Sequence, residues 1–399
     1  MTGLNIFSSW DKENLFCASS EIDVDVNNFA SFYLLGNSEL QLRWPFSNFI
    51  KKKESGILKS LPPKTNSTHY RKSIISYLLD SLRFLYPYGF RRKARLSGHF
   101  CEWIETVKPD YIYTSVSDYA FAKLILLLMN KYPNIKFVVH LYDDWTLPSY
   151  KILYGRLFHK LCENRLKQII SRAYKCLAIS DYMAIDYTKR YGKTFIWLPN
   201  PIQLPDLQAG RKKTNSIVFM GKIIMHNYEA ILNMVKAVER LNRNNNIDIT
   251  FQVFSTYNYF EADDLAKKYP CSHFYPWVAH EDVMNILQNS AILYLPITAN
   301  KETRKFTKYS MSTKIPEYMS SGTPILYCGP KEIAMTDLLE KTKTAHVIHD
   351  SSVDQIEAAI SHMLDNGGET EQMCQNARGF VYNYMTKDIV AKQLKSIFD

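Results

Sequence analysis

The sequence predicts an α/β protein made of two doubly wound domains, each with a parallel sheet between helices. First, the chain has 399 residues, which is enough for two domains, and 46% of them are hydrophobic. Second, apolar segments of strand length alternate with segments of helix length along most of the chain. Third, residues 201–215 are polar, with prolines and a basic run, and so indicate a linker. The predicted domains are residues 1–200 and 216–384, followed by a helix over 385–399.

The first half of the chain alternates between the two patterns in a regular order. The predicted strands are residues 15–20, 111–115, 135–142, 176–179 and 195–198. The predicted helices are residues 70–85, 92–107, 119–132, 153–174 and 182–191. Because each helix crosses back over the sheet before the next strand begins, this order predicts parallel strands.

The second half restarts the same alternation. The predicted strands are residues 216–220, 247–254, 273–275, 291–296, 325–327 and 345–348. The predicted helices are residues 228–241, 262–268, 281–288, a short helix after 313, 352–364, 369–384 and 388–398. A second parallel sheet is therefore expected.

Composition excludes several classes of protein. The seven cysteines are scattered without a C-x-x-C pair, which indicates free thiols in a reducing compartment and argues against a zinc site. No signal peptide and no apolar run of about 20 residues is recognisable. There is no G-x-G-x-x-G motif, so dinucleotide oxidoreductase chemistry has no support. We expect a cytoplasmic protein.

The positive charge is concentrated in one segment. The net charge is +10, and residues 51–95 contain twelve Lys or Arg and two Asp or Glu, interleaved with aromatic residues. Such a segment suits an anionic membrane surface or nucleic acid. The alternative is a solvated basic loop and helix. We expect peripheral attachment to the inner face of a membrane, and no nucleic acid.

Residues 312–330 combine a predicted helix with a predicted strand. Ser312 is an N-cap type, Pro316 suits a first turn, and Gly322 can end the helix in a left-handed cap. Lys314 beside the helix N-terminus predicts an anion site, and the carboxylate of Glu317 can accept two hydrogen bonds from a sugar diol. Phosphates and a ribose together make a nucleotide. The alternative is a solvated lysine and an ordinary first-turn glutamate.

The pattern K-x-x-E-Y-M-x-x-G-x-P-I over residues 314–325 resembles the nucleotide-sugar signature of the GT-B glycosyltransferases. The resemblance is strongest to glycosyltransferase family 4, the glycosyl transferases group 1. It covers nearly the whole chain, and implies two Rossmann-like domains that face each other across a cleft. It also implies that the helix over 385–399 returns to the first domain.

The resemblance implies a set of donor-binding residues in the second domain. By this resemblance Glu317 holds the donor ribose, Gly221 lets the backbone approach the diphosphate, and Lys222 pairs with it. Members of the family also have a glutamate eight positions before the Glu317 position, where this chain has Tyr309. The predicted donor-binding residues are Gly221, Lys222, Tyr309, Ser310, Lys314, Ile315 and Glu317. The lysines and helix amides can neutralise the leaving diphosphate, so we expect neither a metal nor a cofactor.

In the first domain, two carboxylates follow a predicted buried strand. Asp143 and Asp144 lie where open α/β sheets bind ligands, and the resemblance implies that one of them is near the reacting sugar. The alternative is that a carboxylate caps a helix or makes a surface ion pair. His140 is expected to be a histidine at the edge of the core. The predicted acceptor-side or cleft residues are Thr2, Gly3, Trp145 and Asn200.

The beginning of the chain departs from the expected pattern. A strand at residues 5–10 would be separated from the strand at 15–20 by only four residues, whereas a parallel crossover takes about 10–12. We therefore expect residues 4–10 to be helical, after the tail of a glycine loop at Thr2 and Gly3. The first-domain sheet would then lack its first, middle strand, so the given start would be truncated or the natural protein damaged.

The sequence thus predicts a glycosyltransferase that moves a hexose-type sugar from a nucleoside-diphosphate donor to a hydroxyl of a glycan or lipid-linked glycan, and the resemblance implies that the anomeric configuration is retained. Bacterial surface polysaccharide biosynthesis is the expected setting. One alternative is a GT-B sugar-nucleotide epimerase, which needs an acidic pair and a histidine beside the donor sugar. A second is a non-enzymatic nucleic-acid-binding protein that uses the basic 51–95 segment, with affinity that falls steeply with salt.

Overall fold

The structure, a computed structural model, describes eleven parts of the chain. They are residues 6–21, 26–44, 47, 53–58, 90–146, 154–207, 214–223, 227–245, 247–255, 262–297 and 307–399. The chain divides into two compact units, residues 1–198 with 391–399 (unit 1) and residues 199–390 (unit 2). The predicted helix at 70–85 and most of the basic 51–95 segment lie outside the described residues.

Unit 1 alternates strands and helices after an irregular beginning. Its strands are β1 (Phe16–Ser19), β2 (Ser31–Leu34), β3 (Leu40–Leu42), β4 (Gly56–Leu58), β5 (Arg92–Ala94), β6 (Tyr111–Thr114), β7 (Lys136–Leu141), β8 (Lys175–Ala178) and β9 (Phe195–Trp197). Its helices are α1 (Gly98–Val107), α2 (Tyr119–Lys131), α3 (Gly155–Arg172) and α4 (Asp181–Tyr191). From β6 onward every predicted element is confirmed, with ends shifted by at most two residues.

The strands of unit 1 form three separate sheets in the part of the chain that the structure describes. Strands β6-β7-β8-β9 form a parallel sheet, as predicted, with Tyr111 opposite Lys136. Strands β1 and β2 pair in parallel, β4 adds to β2 in the antiparallel direction, and β3 pairs with β5. Among the described residues no strand joins β1 to β6. Ile6 begins a helical turn closed by Trp10 N donating to Phe7 O at 3.0 Å, so residues 6–9 form no strand, as expected.

The predicted helix over 92–107 is wrong in its first six residues. Arg92–Ala94 forms strand β5 against Leu40–Leu42, and the helix begins only at Gly98. Ser97 fixes this start, because its Oγ accepts a hydrogen bond from Phe100 N at 3.1 Å and so caps the helix. The strand partner is about fifty residues away in sequence, which a local pattern does not indicate.

Unit 2 repeats the alternation on a larger sheet. Its strands are β10 (Ser216–Met220), β11 (Thr250–Phe254), β12 (Ser272–Tyr275), β13 (Ile292–Pro296), β14 (Ile325–Cys328) and β15 (His346–Ile348). Its helices are α5 (Tyr228–Asn245), α6 (Ala262–Lys268), α7 (His280–Asn289), α8 (Ile315–Ser320), α9 (Ala334–Thr342), α10 (Val353–Asp365), α11 (Gly367–Tyr384) and the start of α12 (Lys387–Phe398). Helix α9 was not predicted, and it buries Met335 and Leu339.

The sheet of unit 2 is parallel throughout, in the order β12-β11-β10-β13-β14-β15. Its core is continuous with helices α5 and α10 on one face, through residues such as Phe251, Leu326 and Ile360. The strand order reverses beside β10, and ligands of doubly wound sheets bind at such a point, outside the carboxyl ends of the strands. The segment after β10 and the helix before β14 meet at this edge of unit 2.

Helix α8 and strand β14 are formed by the 312–330 segment. The helix ends as predicted, because Gly322 has a φ of 75°, the left-handed conformation that glycine adopts without strain. Tyr318 fixes the helix to the sheet, since its Oη accepts a hydrogen bond from Met220 N at 3.0 Å.

The helices formed by the described residues include none with both the length and the apolar character required to cross a bilayer.

Candidate functional site

Lys314 and Gly221 meet at the carboxyl end of β10, although they are far apart in sequence. A Cβ atom built on Gly221 would lie 1.9 Å from Lys314 Nζ, so the ammonium group occupies the space that any side chain at 221 would need. Lys314 Nζ also lies 4.8 Å from the centroid of the Phe219 ring, within cation–π range. The lysine therefore presents its charge against bare backbone at the edge of the sheet.

Gly221 also requires glycine for its backbone conformation. Its φ is 152°, which L side chains rarely adopt, while its N–H donates to Phe254 O at 2.8 Å and so keeps it in the sheet. The glycine predicted from sequence thus allows both a sheet-to-loop transition and the approach of Lys314.

Glu317 lies next to Lys314 and has a second basic neighbour. Burial raises the pKa of the Glu317 carboxyl, and the charges of His280 and Lys314 act in the opposite direction. Burial lowers the pKa of Lys314 to about 8, opposed by Glu317. Lys314 and Glu317 are therefore a half-buried cation and a half-buried carboxylate. The charge of each only partly offsets the effect of burial on the pKa of the other. Such a pair can bind a ligand that carries both anionic oxygens and hydroxyl groups.

The remaining predicted donor-binding residues differ in how exposed they are to a ligand. Lys222 is exposed, and its carbonyl oxygen accepts a hydrogen bond from Asn227 Nδ2 at 3.0 Å. Tyr309 is buried, and its Oη accepts from Lys308 Nζ at 2.9 Å. Ser310 is half-buried beside it, with its N–H donating to Thr307 O at 3.2 Å. Lys222 therefore has the access that a phosphate contact needs, whereas Tyr309 is enclosed.

The expected row of free amides at the N-terminus of α8 is only partly present. Lys314 N donates to Ser312 Oγ at 3.3 Å, and Ile315 N donates to Ser312 O at 3.1 Å. Ile315 is fully buried, and α8 has only six residues. Ser312 thus precedes the helix as a turn residue and takes up the first two amides. The anion-binding capacity of this site comes chiefly from the side chain of Lys314.

Two residues at this edge of unit 2 were missed by the sequence reasoning. His280 begins α7, and its charge acts on Glu317. Ser255 follows β11 directly, and its Oγ is buried without a hydrogen-bond partner in the structure. The available signal was their position, because both follow predicted strands of a parallel sheet at the end where ligands bind.

In unit 1, the two predicted catalytic carboxylates have different surroundings. Asp144 is 2% exposed and accepts hydrogen bonds from Thr146 N at 3.2 Å and from Arg190 Nη1 at 3.3 Å. Arg190 also pairs with Glu163 at 2.7 Å. Asp144 is thus held in an internal ion-pair network. Asp143 is half-buried, so more of its side chain is accessible to a substrate than that of Asp144.

His140 lies within β7 and is fully buried, as expected for a core-edge histidine. Its Nδ1 is 2.5 Å from Tyr113 Oη, and Tyr113 Oη is 2.9 Å from Tyr142 Oη. Burial lowers the pKa of His140 to about 3, so the imidazole is neutral at physiological pH. The neutral ring is held through Nδ1 by Tyr113, and its Nε2 is buried.

The predicted acceptor-side residues divide between described and undescribed parts of the chain. Trp145 Nε1 in unit 1 and Asn200 Oδ1 in unit 2 are buried polar atoms with no hydrogen-bond partner in the structure. Thr2 and Gly3 lie outside the described residues. No cluster of three or more metal-ligating side chains occurs among the described residues, and metal-free chemistry stays a prediction.

Comparison with known proteins gives one family match, over unit 2. Residues 214–366 match the family model Glycosyl transferases group 1. Comparison with curated proteins gives no match.

Several solved structures are similar in fold. A TarM variant from S. aureus, solved with Fondaparinux, alpha-GlcNAc-glycerol and UDP, has a TM-score of 0.56 at 9% identity, over 78% of this chain and 60% of that chain. HepE from Anabaena, in complex with UDP, has a TM-score of 0.55 at 12% identity, over 75% of this chain and 81% of that one. Sucrose-phosphate synthase from Thermosynechococcus elongatus has a TM-score of 0.55 at 13% identity, over 75% of each chain. This chain therefore spans less than two thirds of the length of TarM.

Proposed function

We propose that this chain, which has the GT-B fold and carries a Glycosyl transferases group 1 domain over residues 214–366, is a glycosyltransferase. It moves a sugar from a nucleoside-diphosphate donor to a hydroxyl group of a glycan or lipid-linked glycan. Retention of the anomeric configuration, and a place in the assembly of a bacterial surface polysaccharide, belong to the same proposal.

One observation carries the donor assignment. Lys314 Nζ lies against the bare backbone of Gly221, with the half-buried carboxylate of Glu317 beside it. A diphosphate needs a cation and close approach to backbone, and a ribose diol needs an acceptor within a few ångströms. Gly221, Lys314 and Glu317 supply these three features at one edge of one sheet.

The residues present suggest how the leaving group is stabilised. As the bond to the sugar breaks, negative charge develops on the diphosphate, and a preplaced cation lowers the energy of that state. Lys314 is half-buried, so its charge is little screened by water, and Lys222 is exposed and can reach the outer phosphate. Asp143 is the carboxylate proposed to contact the reacting groups.

Two similar proteins suggest the first donor to test. The TarM and HepE structures both contain UDP. Uridine diphosphate and its sugars are therefore the first compounds in a thermal-shift screen of all common nucleoside diphosphates, because a ligand that binds only the folded state raises the melting temperature. A shift specific to one base supports the proposal, and transfer of radiolabelled sugar to a glycan fraction identifies the reaction. If no nucleoside diphosphate shifts the melting temperature, the proposal fails.

Two further assays separate the proposed function from the two alternatives. An epimerase would convert the nucleotide sugar into its epimer without an acceptor, which chromatography of the nucleotide sugars detects. A nucleic-acid-binding protein would bind oligonucleotides with a steep salt dependence and would not respond to nucleoside diphosphates.

A further inference from the structure

A cavity of about 620 Å³ opens at the amino ends of β6 and β7 in unit 1. Its wall comes from the last turn of α1, the turn into β6, and the turn from α2 into β7. The volume lies within the range of roughly 300–1,000 Å³ that holds a drug-sized ligand. Among the side chains of the wall are Lys108, Asp110, Tyr111, Tyr132, Asn134 and Lys136.

The cavity lies at the opposite edge of the sheet from Asp143. Lys136 is the first residue of β7 and Leu141 is the last, and a strand rises about 3.3 Å per residue, so about 17 Å separate the two ends. Ligands that react on doubly wound sheets bind at the carboxyl edge. The cavity is therefore separate from the candidate catalytic residues of unit 1.

Both tyrosine rings of the wall are held in place by hydrogen bonds. Tyr132 Oη donates to Glu105 Oε1 at 3.0 Å. Tyr111 Oη accepts a hydrogen bond from Lys136 Nζ at 3.0 Å and donates to Phe398 O. Each ring is nevertheless partly exposed. The rings thus form a surface that loses little conformational freedom when a ligand packs on it.

Three exposed polar side chains of the wall are available to a ligand. Lys108, Asp110 and Asn134 make no side-chain hydrogen bond with any part of the chain that the structure describes. Lys108 has a left-handed φ of 47° and precedes Pro109, whose ring fixes its own φ, so the turn that carries Lys108 and Asp110 has little freedom. A lysine donates hydrogen bonds, a carboxylate accepts them, and an amide does both.

The charges of the wall balance. Lys108 and Lys136 contribute two positive charges, and Glu105 and Asp110 contribute two negative charges. The wall therefore favours neither an anion nor a cation. A sugar is neutral, its hydroxyl groups both donate and accept hydrogen bonds, and the C–H groups on the faces of its ring pack against aromatic rings.

We propose that this cavity binds a neutral oligosaccharide. Tyr111 and Tyr132 pack against the faces of its sugar rings, while Lys108, Asp110 and Asn134 hydrogen-bond its hydroxyl groups. That this oligosaccharide is a part of the glycan under extension rests on the proposed function. In that case the cavity keeps a long acceptor attached between transfers, which raises its effective concentration at the site of transfer.

The test is titration of the full chain, without any nucleotide, with maltohexaose, laminarihexaose, mannohexaose and chitohexaose, followed by saturation-transfer NMR and calorimetry. At least one of these neutral hexasaccharides is expected to bind, and more tightly than the anionic hexagalacturonic acid. Hydrogen exchange with the bound oligosaccharide should then show new protection in residues 104–111 and 132–136. This result would place the oligosaccharide in the cavity.

Lys108→Gly is the sharpest variant, because glycine adopts the left-handed conformation without strain and the fold should remain at least as stable. Its affinity for the oligosaccharide should fall about tenfold or more, since a hydrogen bond from a charged group is lost. Lys343→Gly is the matched control, because Lys343 also ends a helix with a left-handed φ, of 52°, but in unit 2. It removes the same charge and should bind the oligosaccharide as the wild type does.

Tyr132→Ala tests the aromatic wall. It should weaken binding at least as much as Lys108→Gly, whereas Tyr382→Ala, at a tyrosine that is 64% exposed in unit 2, should leave binding unchanged. Melting temperatures of both variants show whether the fold is retained.

Four outcomes would overturn the proposal. They are no binding of any neutral hexasaccharide, tighter binding of hexagalacturonic acid, protection confined to residues 140–146, and wild-type affinity in both Lys108→Gly and Tyr132→Ala. Calorimetry of the same two variants with nucleoside diphosphates should give wild-type affinity. If the oligosaccharide binds in the cavity and no nucleoside diphosphate binds the chain, the proposed function fails and the cavity assignment stands.

Discussion

Replacing Lys314 with methionine should make the free protein more stable while it weakens donor binding. The lysine occupies a half-buried position beside Phe219 and Gly221, where a charge is poorly solvated. Methionine has a similar length and an apolar side chain, and it suits such a site. The substitution therefore removes a destabilising charge without creating a cavity.

The size of the effect follows from the pKa of this lysine. Burial lowers the pKa of Lys314 from 10.5 to about 8, and each pKa unit is equivalent to 1.36 kcal/mol. At pH 7 the lysine is charged in both the folded and the unfolded chain, so the full cost is present. Lys314→Met should then raise the free energy of unfolding by up to about 3 kcal/mol.

The pH dependence of the difference in stability between the wild type and Lys314→Met tests this explanation. Between pH 8 and pH 10.5 the folded lysine loses its proton while the unfolded one keeps it, so the wild type gains stability relative to the variant. Urea unfolding from pH 7 to pH 10 measures this, with Lys331→Met as the control at an exposed position. The excess in the free energy of unfolding of Lys314→Met over the wild type should shrink as the pH rises, while Lys331→Met should show no such trend. A variant that is less stable than wild type at pH 7, or a difference that does not depend on pH, would refute the reasoning.

Three further predictions concern neighbouring residues. Gly221→Ala should weaken nucleoside-diphosphate binding and lower the melting temperature more than the control Gly192→Ala. Both glycines have a positive φ, so both variants are strained, but the new Cβ displaces Lys314 Nζ only at 221 and meets nothing within 4 Å at 192; equal effects in both assays would contradict this. Lys222→Ala should reduce turnover by roughly 2–4 kcal/mol of transition-state stabilisation with an unchanged melting temperature, and unchanged kcat/KM would show that Lys222 does not contact the donor. Asp144→Asn should lower the free energy of unfolding by about 2 kcal/mol or more, because Arg190 loses a buried partner, whereas Asp143→Asn should reduce turnover and lower the free energy of unfolding by less than Asp144→Asn does; the reverse pattern would exchange the two roles.

Much of the α/β order was predictable because it depends on local patterns. The alternation of strands and helices after residue 110 depends on apolar periodicity. The end of α8 depends on a single residue, because Gly322 adopts a left-handed φ of 75°. It was also predictable that Lys314 and Glu317 lie next to each other, because this follows from helical spacing. Strand β5 was missed because it exists only through pairing with β3, whose sequence position is distant.

The site was predictable only in part. Gly221 and Lys314 are 93 positions apart, and their contact depends on how β10 and α8 lie in the same unit, so the resemblance and not the local spacing indicated both. Asp143 and Asp144 are chemically identical neighbours in sequence. Only the position of Arg190, 46 residues away, distinguishes the buried ion-paired carboxylate from the half-buried one.

The most direct measurement of the central claim is a calorimetric titration of uridine diphosphate, or of the nucleoside diphosphate that the screen selects, into the free chain at pH 7. The account predicts one site per chain, with affinity about 10–100-fold lower in Lys314→Met, the range for a hydrogen bond to a charged group, and unchanged in Lys331→Met. If no nucleoside diphosphate binds the wild type, or if Lys314→Met binds it as tightly, unit 2 does not hold the donor in the way proposed.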